Sequence, residues 1–168
     1  MMSKTEPWLS GSRTGISPFL APLLYSFDQA REDLERFTEG LTSEQIWAQH
    51  GSVNPVGREV RHIGGAVDRL MTYLQGRQLD ERQLGELQTE FEAGASRKEL
   101  LAGMDAAFRR AEAVVRSLDP TRLTELREVG RKRLPTTVIG LVVHIAEHTQ
   151  RHVGQAIVAA KLARMEKE

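Results

Sequence analysis

Histidine is the residue type in this chain whose spacing points most directly to chemistry. Five histidines are present, and three of them, His144, His148 and His152, follow one another at intervals of four residues. In an α-helix each step of four residues turns about 40° around the axis, so the three rings share one face. Histidines at positions i and i+4 have Cβ atoms about 5–6 Å apart. Two such imidazoles can therefore reach one metal ion, at about 2.0–2.1 Å each.

A third protein ligand has to come from another part of the chain, because one helix comfortably offers only a pair. His62 is the only other histidine within a long segment of helical periodicity, whereas His50 falls in an expected loop. Burying several imidazoles is costly unless each has a polar partner, and one bound cation can serve two or three of them together. We therefore predict a metal site, and for the isolated His50 we favour an ordinary structural or exposed role.

Spacing alone leaves two pairs in the row as candidate ligands. Residues 144–148 read HIAEH, the inverted zinc-peptidase pattern with Glu147 as the candidate base. Residues 148–152 read HTQRH and lack the glutamate of the HExxH proteases. The first match is weak, because such peptidases are much larger and need a further ligand downstream.

Four segments with helical periodicity are expected to position these histidines, at about residues 17–40, 54–76, 96–120 and 135–163. Each segment has a start signal (a proline or a capping box), a stop signal (a glycine or a proline), or both. Thr42 and Gln45 predict a further short helix through a capping box. Gly64 and Gly65 interrupt the second long helix at a cost of roughly 1 kcal/mol each. They predict close approach of another backbone, or room for a ligand.

Two connections between these helices are informative. About twenty residues, 77–95, separate the second and third helices. A link of that length can cross a bundle and let two consecutive helices run parallel. The other connection, residues 121–134, includes Val129-Gly130, which predicts a tight turn between two short extended pieces.

The segment HIAEHTQRHVGQ, residues 144–155, resembles the last helix of the DinB family, the DinB/YfiT-like metalloenzymes. The family pattern there is a histidine, three residues, a second histidine and a short run ending in Gly-Gln. His148, His152 and Gly154-Gln155 match it. The segment VRHIGGAVDRLMTYLQG, residues 60–76, is similar to the family's second helix, whose histidine is a third ligand. Together with LTSEQIW and REVGRKRLPTT, the resemblance covers residues 18–164.

This resemblance implies an all-α, four-helix bundle with up-down-down-up topology, which agrees with the long crossover between helices 2 and 3. It also implies that His62, His148 and His152 are the metal ligands and that His144 lines the cavity or lies beside a ligand. Ligating imidazoles usually donate their other N–H to a partner. The candidates for that partner are Gln155, Glu59 and Glu147.

Three neutral imidazoles would leave the ion its full positive charge and at least one open position. Such an ion can lower the pKa of coordinated water to about 7 or stabilise an incoming thiol as a thiolate. Imidazoles suit Zn, Ni, Cu and Fe alike, and we expect a divalent Zn or Ni ion.

The resemblance also implies a metal-dependent enzyme, S-transferase-like or hydrolase-like, that acts on a small-molecule substrate. The similar YfiT branch and its relatives include thiol-dependent S-transferases and isomerases that act with low-molecular-weight thiols. Because this chain has no cysteine, such a thiol would have to be a cosubstrate. The basic cluster Arg127, Arg131, Lys132 and Arg133 could hold its carboxylates, although a solvated turn is the favoured interpretation. The alternative function is a non-catalytic, stress-associated metal-binding module with a structural metal.

Composition limits the remaining classes. The 168 residues predict a single domain, residues 1–168, with residues 1–16 as a flexible N-terminal extension. Lys plus Arg and Asp plus Glu balance at 23 each, which argues against nucleic-acid binding. The N-terminus has no apolar signal region and no apolar run is long enough to span a membrane, so we expect a cytoplasmic protein. Zero net charge permits self-association, and with the resemblance it predicts a homodimer.

Overall fold

Four long helices dominate the computed structural model, which describes residues 5–165. In chain order the elements are α1 (Ala21–Thr38), α2 (Ser43–Trp47), α3 (Val56–Leu74), α4 (Glu81–Thr89), α5 (Arg97–Ser117), β1 (Leu126–Val129), β2 (Leu134–Thr137) and α6 (Val138–Met165). The long helices α1, α3, α5 and α6 are the four predicted from periodicity. None of the helices in this part of the chain combines the length and apolar character needed to cross a membrane.

Local sequence signals fix several of these boundaries. The capping boxes predicted at Thr42 and Ser96 are both present, and α2 and α5 begin directly after them. The helix α6 begins at Val138, three residues later than the predicted start at Pro135. The reason is that residues 134–137 form β2 and pair antiparallel with β1. The predicted turn is confirmed, and it spans four residues, with Gly130 at φ +72° and Arg133 at φ +49°.

The helix α4, inside the long crossover, was not predicted. It begins after Asp80, whose carboxylate accepts a hydrogen bond from the backbone N–H of Gln83 at 2.8 Å, in a third capping box. The side chain of Gln83 is buried and donates to Asp68 Oδ2 at 2.7 Å and to Thr72 Oγ1 at 2.8 Å. These bonds hold the crossover, defined here as residues 77–95, against the outer face of α3.

The helices pack in up-down-down-up order, as predicted. The helix α6 runs parallel to α1 and antiparallel to α3, whereas α5 runs parallel to α3. For α1 and α6 the direction follows from the contacts of Ser26 with Ala146 and of Phe37 with Arg164. For α3 and α6 it follows from the contacts of Glu59 with His152 and of His62 with His148. For α3 and α5 it follows from the contacts of Gly64 with Met104 and of Asp68 with Arg110.

Gly64 lies at a close approach of α3 and α5. A Cβ added to this residue would sit 3.1 Å from the Cα of Met104. The close approach of a second backbone, predicted from the glycine pair, is therefore confirmed at this position. The core of the bundle continues from there to Phe27 and Phe108, whose rings stack with centroids 4.3 Å apart.

The part of the N-terminal segment that the structure describes, residues 5–16, touches α1. The hydroxyl of Tyr25 donates to the carbonyl of Gly11, and Arg13 pairs with Asp28. Pro7 is buried. The predicted flexibility of this extension, and its place in one 1–168 domain, stay predictions.

Candidate metal centre

Three histidine rings converge where α3 crosses α6. His62 lies in the second turn of α3, and His148 and His152 lie one turn apart near the middle of α6. Ring centroids are 5.1 Å apart for His62 and His148, 4.4 Å for His62 and His152, and 4.5 Å for His148 and His152. One ring nitrogen from each residue lies within 4.8 Å of those from the other two. Ligand atoms around a tetrahedral ion lie about 3.3 Å apart, so small ring rotations would close the site.

The carboxylate of Glu59 fixes one of these rings. Glu59 precedes His62 by one turn of α3 and is only 2% exposed. Its Oε2 lies 2.5 Å from Nδ1 of His152, and its Oε1 accepts from Nδ2 of Asn54 at 2.6 Å. A carboxylate in this position favours the tautomer with the proton on Nδ1. The Nε2 lone pair of His152 is then left for a metal.

A second buried carboxylate, Glu90, stands beside His62 and was not predicted. It is 3% exposed, and its Oε2 lies 3.1 Å from Nδ1 of His62. That distance suits an ion pair, although the ring nitrogen is not aligned as a hydrogen-bond donor. The other oxygen accepts from Nη2 of Arg69 at 2.9 Å. Burial acts to raise the pKa of Glu90, but its interactions with His62 and with the Arg69 guanidinium outweigh burial, so the pKa lies below its ordinary value.

The third ring, His148, is half-buried and sits between the other two on one side and His144 on the other. Its burial, and then the neighbouring His152 and His62, lower its pKa from 6.5 to about 4. At neutral pH this imidazole is uncharged. A neutral ring is the form that binds a metal.

The other residues singled out from sequence lie around this group. The ring of His144 is 5.4 Å from that of His148, its side chain is 47% exposed, and its Nδ1 lies 3.6 Å from Glu147. Glu147 is exposed and pairs with Arg151 on the same helix, which lowers its pKa. Gln155 is exposed and lines a cavity of about 410 Å³ beside Glu59. Of the four predicted neighbours, Glu59 is the one that contacts the nitrogen of a candidate ligand.

The basic cluster lies away from the histidines. Nε of Arg127 donates to the carbonyl of Leu74 at 2.7 Å, at the C-terminal end of α3. His62 is near the other end of that helix, about 18 Å away along the axis. Arg127 also pairs with Glu125, and Arg133 pairs with Glu128. Arg131, Lys132 and Arg133 are exposed, which agrees with the favoured interpretation of a solvated turn. Arg127 does not fit that interpretation, because its side chain is only 13% exposed and bonds to the end of α3.

The residues present suit a divalent cation. Within residues 5–165 the group of potential ligands consists of three imidazoles and includes no fourth protein side chain. Two of the rings have a buried carboxylate next to Nδ1, an arrangement that recurs behind metal-ligating histidines. Nδ1 of His62 is also buried without an aligned hydrogen bond.

Comparison with known proteins agrees with this architecture. The family model for the DinB superfamily matches residues 26–156. No curated protein matches the chain. Among solved structures, a DinB-like protein from Bacillus cereus ATCC 10987 is 19% identical, with 84% of this chain and 90% of that chain covered and a TM-score of 0.62. YfiT from Bacillus subtilis is 17% identical, with 93% of each chain covered and a TM-score of 0.66. YfiT is described as "a probable metal-dependent hydrolase with an unusual four-helix bundle topology".

Proposed function

The chain belongs to the DinB superfamily, and from that premise we propose that it is a metal-dependent enzyme acting on a small-molecule substrate. His62, His148 and His152 are the proposed ligands of a divalent ion, Zn or Ni. The observation that carries the proposal is the convergence of three imidazoles from α3 and α6, two of them backed by buried carboxylates. The description of YfiT, which has the same fold, as "a probable metal-dependent hydrolase" supports it.

Each neighbouring group has a definite task in this proposal. The carboxylates of Glu59 and Glu90 favour the tautomers of His152 and His62 with the proton on Nδ1, which leaves the Nε2 lone pair of each ring for the ion. His148 stays neutral because its pKa is about 4. A divalent cation held by the three rings would supply Lewis acidity at its open position.

The substrate is proposed to enter along the exposed face of α6. The cavity of about 410 Å³ beside Glu59 is lined on this face by Arg151, Gln155 and Val158. Arg151 and Gln155 can donate hydrogen bonds, and Val158 offers apolar surface. The cavity suits a small polar molecule, such as a low-molecular-weight thiol that carries a carboxylate.

We propose S-transfer or hydrolysis as the reaction. Because the chain has no cysteine, any thiol nucleophile must be supplied as a cosubstrate. The test is turnover of a chromogenic aryl chloride with a low-molecular-weight thiol, and of a chromogenic ester without it, using zinc-loaded and nickel-loaded protein. Loss of turnover in both His62→Ala and His152→Ala, with turnover kept in Glu147→Gln, is expected. Unchanged turnover in both histidine variants would contradict the proposal.

The alternative is a non-catalytic, stress-associated module in which the ion is structural. In its favour, the candidate ligands join two different helices and are only 23% exposed for His62 and 16% for His152. X-ray absorption of the zinc-loaded protein separates the two functions. A water or added thiol in the zinc coordination shell supports chemistry, whereas a fourth protein ligand supports the structural module.

We also propose that the protein is a cytoplasmic homodimer. Its formal net charge of zero means that two copies do not repel each other at long range. Light scattering coupled to size-exclusion chromatography is expected to give twice the chain mass of 18.8 kDa. A single-chain mass at micromolar concentration would contradict the dimer.

A further inference from the structure

We propose that Glu90 is a positioning residue for His62 and that it makes metal binding depend on docking of the crossover. The inference rests on the metal site proposed above. It adds that one of the three ligands, His62, is held from outside the four long helices, by a carboxylate of the crossover.

The crossover is attached to the bundle on both sides of Glu90. On the N-terminal side, the buried side chain of Gln83 bonds to Asp68 and Thr72 of α3. On the C-terminal side, Nε1 of Trp47 donates to the carbonyl of Ala95 at 2.8 Å. Between these two attachments the chain leaves α4 and turns the side chain of Glu90 inward.

Glu90 enters a space that α3 leaves open for it. A Cβ added to Gly65 would lie 2.7 Å from Oε1 of Glu90 and 2.8 Å from Nη1 of Arg69. The surface of α3 is therefore recessed at this glycine, where the carboxylate and guanidinium meet. Glycine within a helix costs roughly 1 kcal/mol relative to alanine. The room that Gly65 leaves for the Glu90 carboxylate is a structural reason for a glycine at this helical position.

Burial of this carboxylate has no packing advantage of its own. A buried charge is destabilising unless it is paired and hydrogen-bonded. Arg69, itself only 11% exposed, takes one oxygen of Glu90, and His62 faces the other. Arg69 neutralises the charge, so the arrangement leaves the second oxygen available to orient a ring.

The two carboxylates of the site differ in how they are anchored. Glu59 is part of α3 and contacts His152 across the helix pair, so its position follows from the bundle itself. Glu90 is part of the crossover, so its contact with His62 exists only while the crossover is docked. If docking strengthens metal binding, then metal binding must strengthen docking by the same factor.

The test uses the full-length chain, free of metal and loaded with zinc. Zinc affinity is measured by competition with a chromophoric chelator, and hydrogen exchange is followed in residues 81–95. In the wild type, zinc is expected to slow exchange in this segment. In Glu90→Gln the zinc Kd is expected to rise about 10–100-fold, as for other partners of ligating histidines, and the zinc-dependent slowing to disappear. The visible spectrum of the cobalt-loaded variant should also change, because the orientation of His62 changes.

Gly65→Ala gives a second test that keeps every charged group. Its added methyl group should displace the Glu90 carboxylate and raise the zinc Kd, although alanine favours the helix. The controls are Glu86→Gln, an exposed carboxylate of α4 that pairs with Arg82, and Gly103→Ala, a helical glycine with no atom within 4 Å of an added Cβ. Both controls are expected to match the wild type.

The possible failures are distinguishable. Zinc affinity within twofold of the wild type in Glu90→Gln and Gly65→Ala, with zinc-dependent slowing retained, would overturn the inference and leave the metal site standing. Absence of zinc binding in the wild type would overturn the metal site, and this inference with it. If Glu90→Gln does not fold, the Gly65→Ala result decides.

Discussion

Each imidazole in the candidate centre has two nitrogens with separate tasks. In His152 one nitrogen faces a buried carboxylate, and the other is free to face an ion. A carboxylate partner fixes the tautomer and raises the basicity of the ligating nitrogen. The function of the site is therefore expected to depend on residues that never touch the metal.

Glu59→Gln tests this dependence at the most tightly held ring. The amide keeps the shape of the side chain but removes the charge that stabilises the proton on Nδ1 of His152. Zinc affinity is expected to fall about 10–100-fold. Glu147→Gln is the matched control, because Glu147 is exposed and pairs with Arg151. Equal zinc affinity in Glu59→Gln and the wild type would contradict the assigned role.

The pKa of His148 predicts how the stability of the metal-free protein depends on pH. In the folded state this pKa is about 4, below the ordinary value of 6.5. Between these values the unfolded chain binds a proton that the folded chain does not, so the free energy of unfolding falls as the pH drops from about 6.5 toward 4.

Replacing His148 by Gln should remove this contribution. The loss of stability between pH 7 and pH 4.5 is expected to be smaller in His148→Gln than in the wild type by about 1–2 kcal/mol, after allowance for solvent screening. Urea unfolding of metal-free protein at the two pH values measures it. If the wild type and His148→Gln lost equal amounts of stability, His148 would bind its proton as well in the folded state as in the unfolded state.

The sequence predicted the residues of the candidate centre where their partners lie on the same helix or within a helical turn. His148 and His152 share a helix face, so periodicity placed them together, and His62 was the other histidine in a long predicted helix. The family resemblance then favoured the pair 148/152 over the pair 144/148. Glu59 was within reach as a candidate because it lies one helical turn from His62. Glu90 was not, because its position depends on the path of the crossover, and no local pattern encodes that path.

At the scale of elements, the contact between α3 and α5 depends on the absence of one side chain. Gly64→Ala would place a Cβ 3.1 Å from the Cα of Met104. Because this contact is with a backbone atom, it cannot be relieved by rotation of a side chain. The variant is expected to lose about 1–3 kcal/mol of stability through overpacking, despite the better helix propensity of alanine. Gly103→Ala, on α5 in open space, should be neutral or slightly stabilising. Urea unfolding of both variants tests this, and equal stabilities would remove the close-approach explanation.

Element boundaries were predictable where a cap was present and recognised. The capping box at Ser96 predicted the start of α5, and the capping box at Thr42 predicted the start of α2. Asp80 and Gln83 carry the same signal for α4, but this helix has only nine residues, and Leu84 and Leu87 are too few apolar positions to indicate a helical repeat. The start of α6 was predicted too early, because residues 134–137 owe their extended conformation to pairing with β1, a contact that helical periodicity does not register.

For the whole molecule, the up-down-down-up order is what creates the site. It makes α6 antiparallel to α3, so that Glu59 meets His152 and His62 meets His148. The long crossover that allows α3 and α5 to run parallel also delivers Glu90. Topology and the candidate centre thus depend on the same segment of chain.

The most direct test of the account is a zinc titration of untagged wild-type protein, prepared without chelators or a nickel column, beside His62→Ala. One zinc ion per chain is expected in the wild type, with binding lost in the variant although its helix content is unchanged. If His62→Ala bound zinc as tightly as the wild type, or if the wild type bound none, the three rings would not form a metal site.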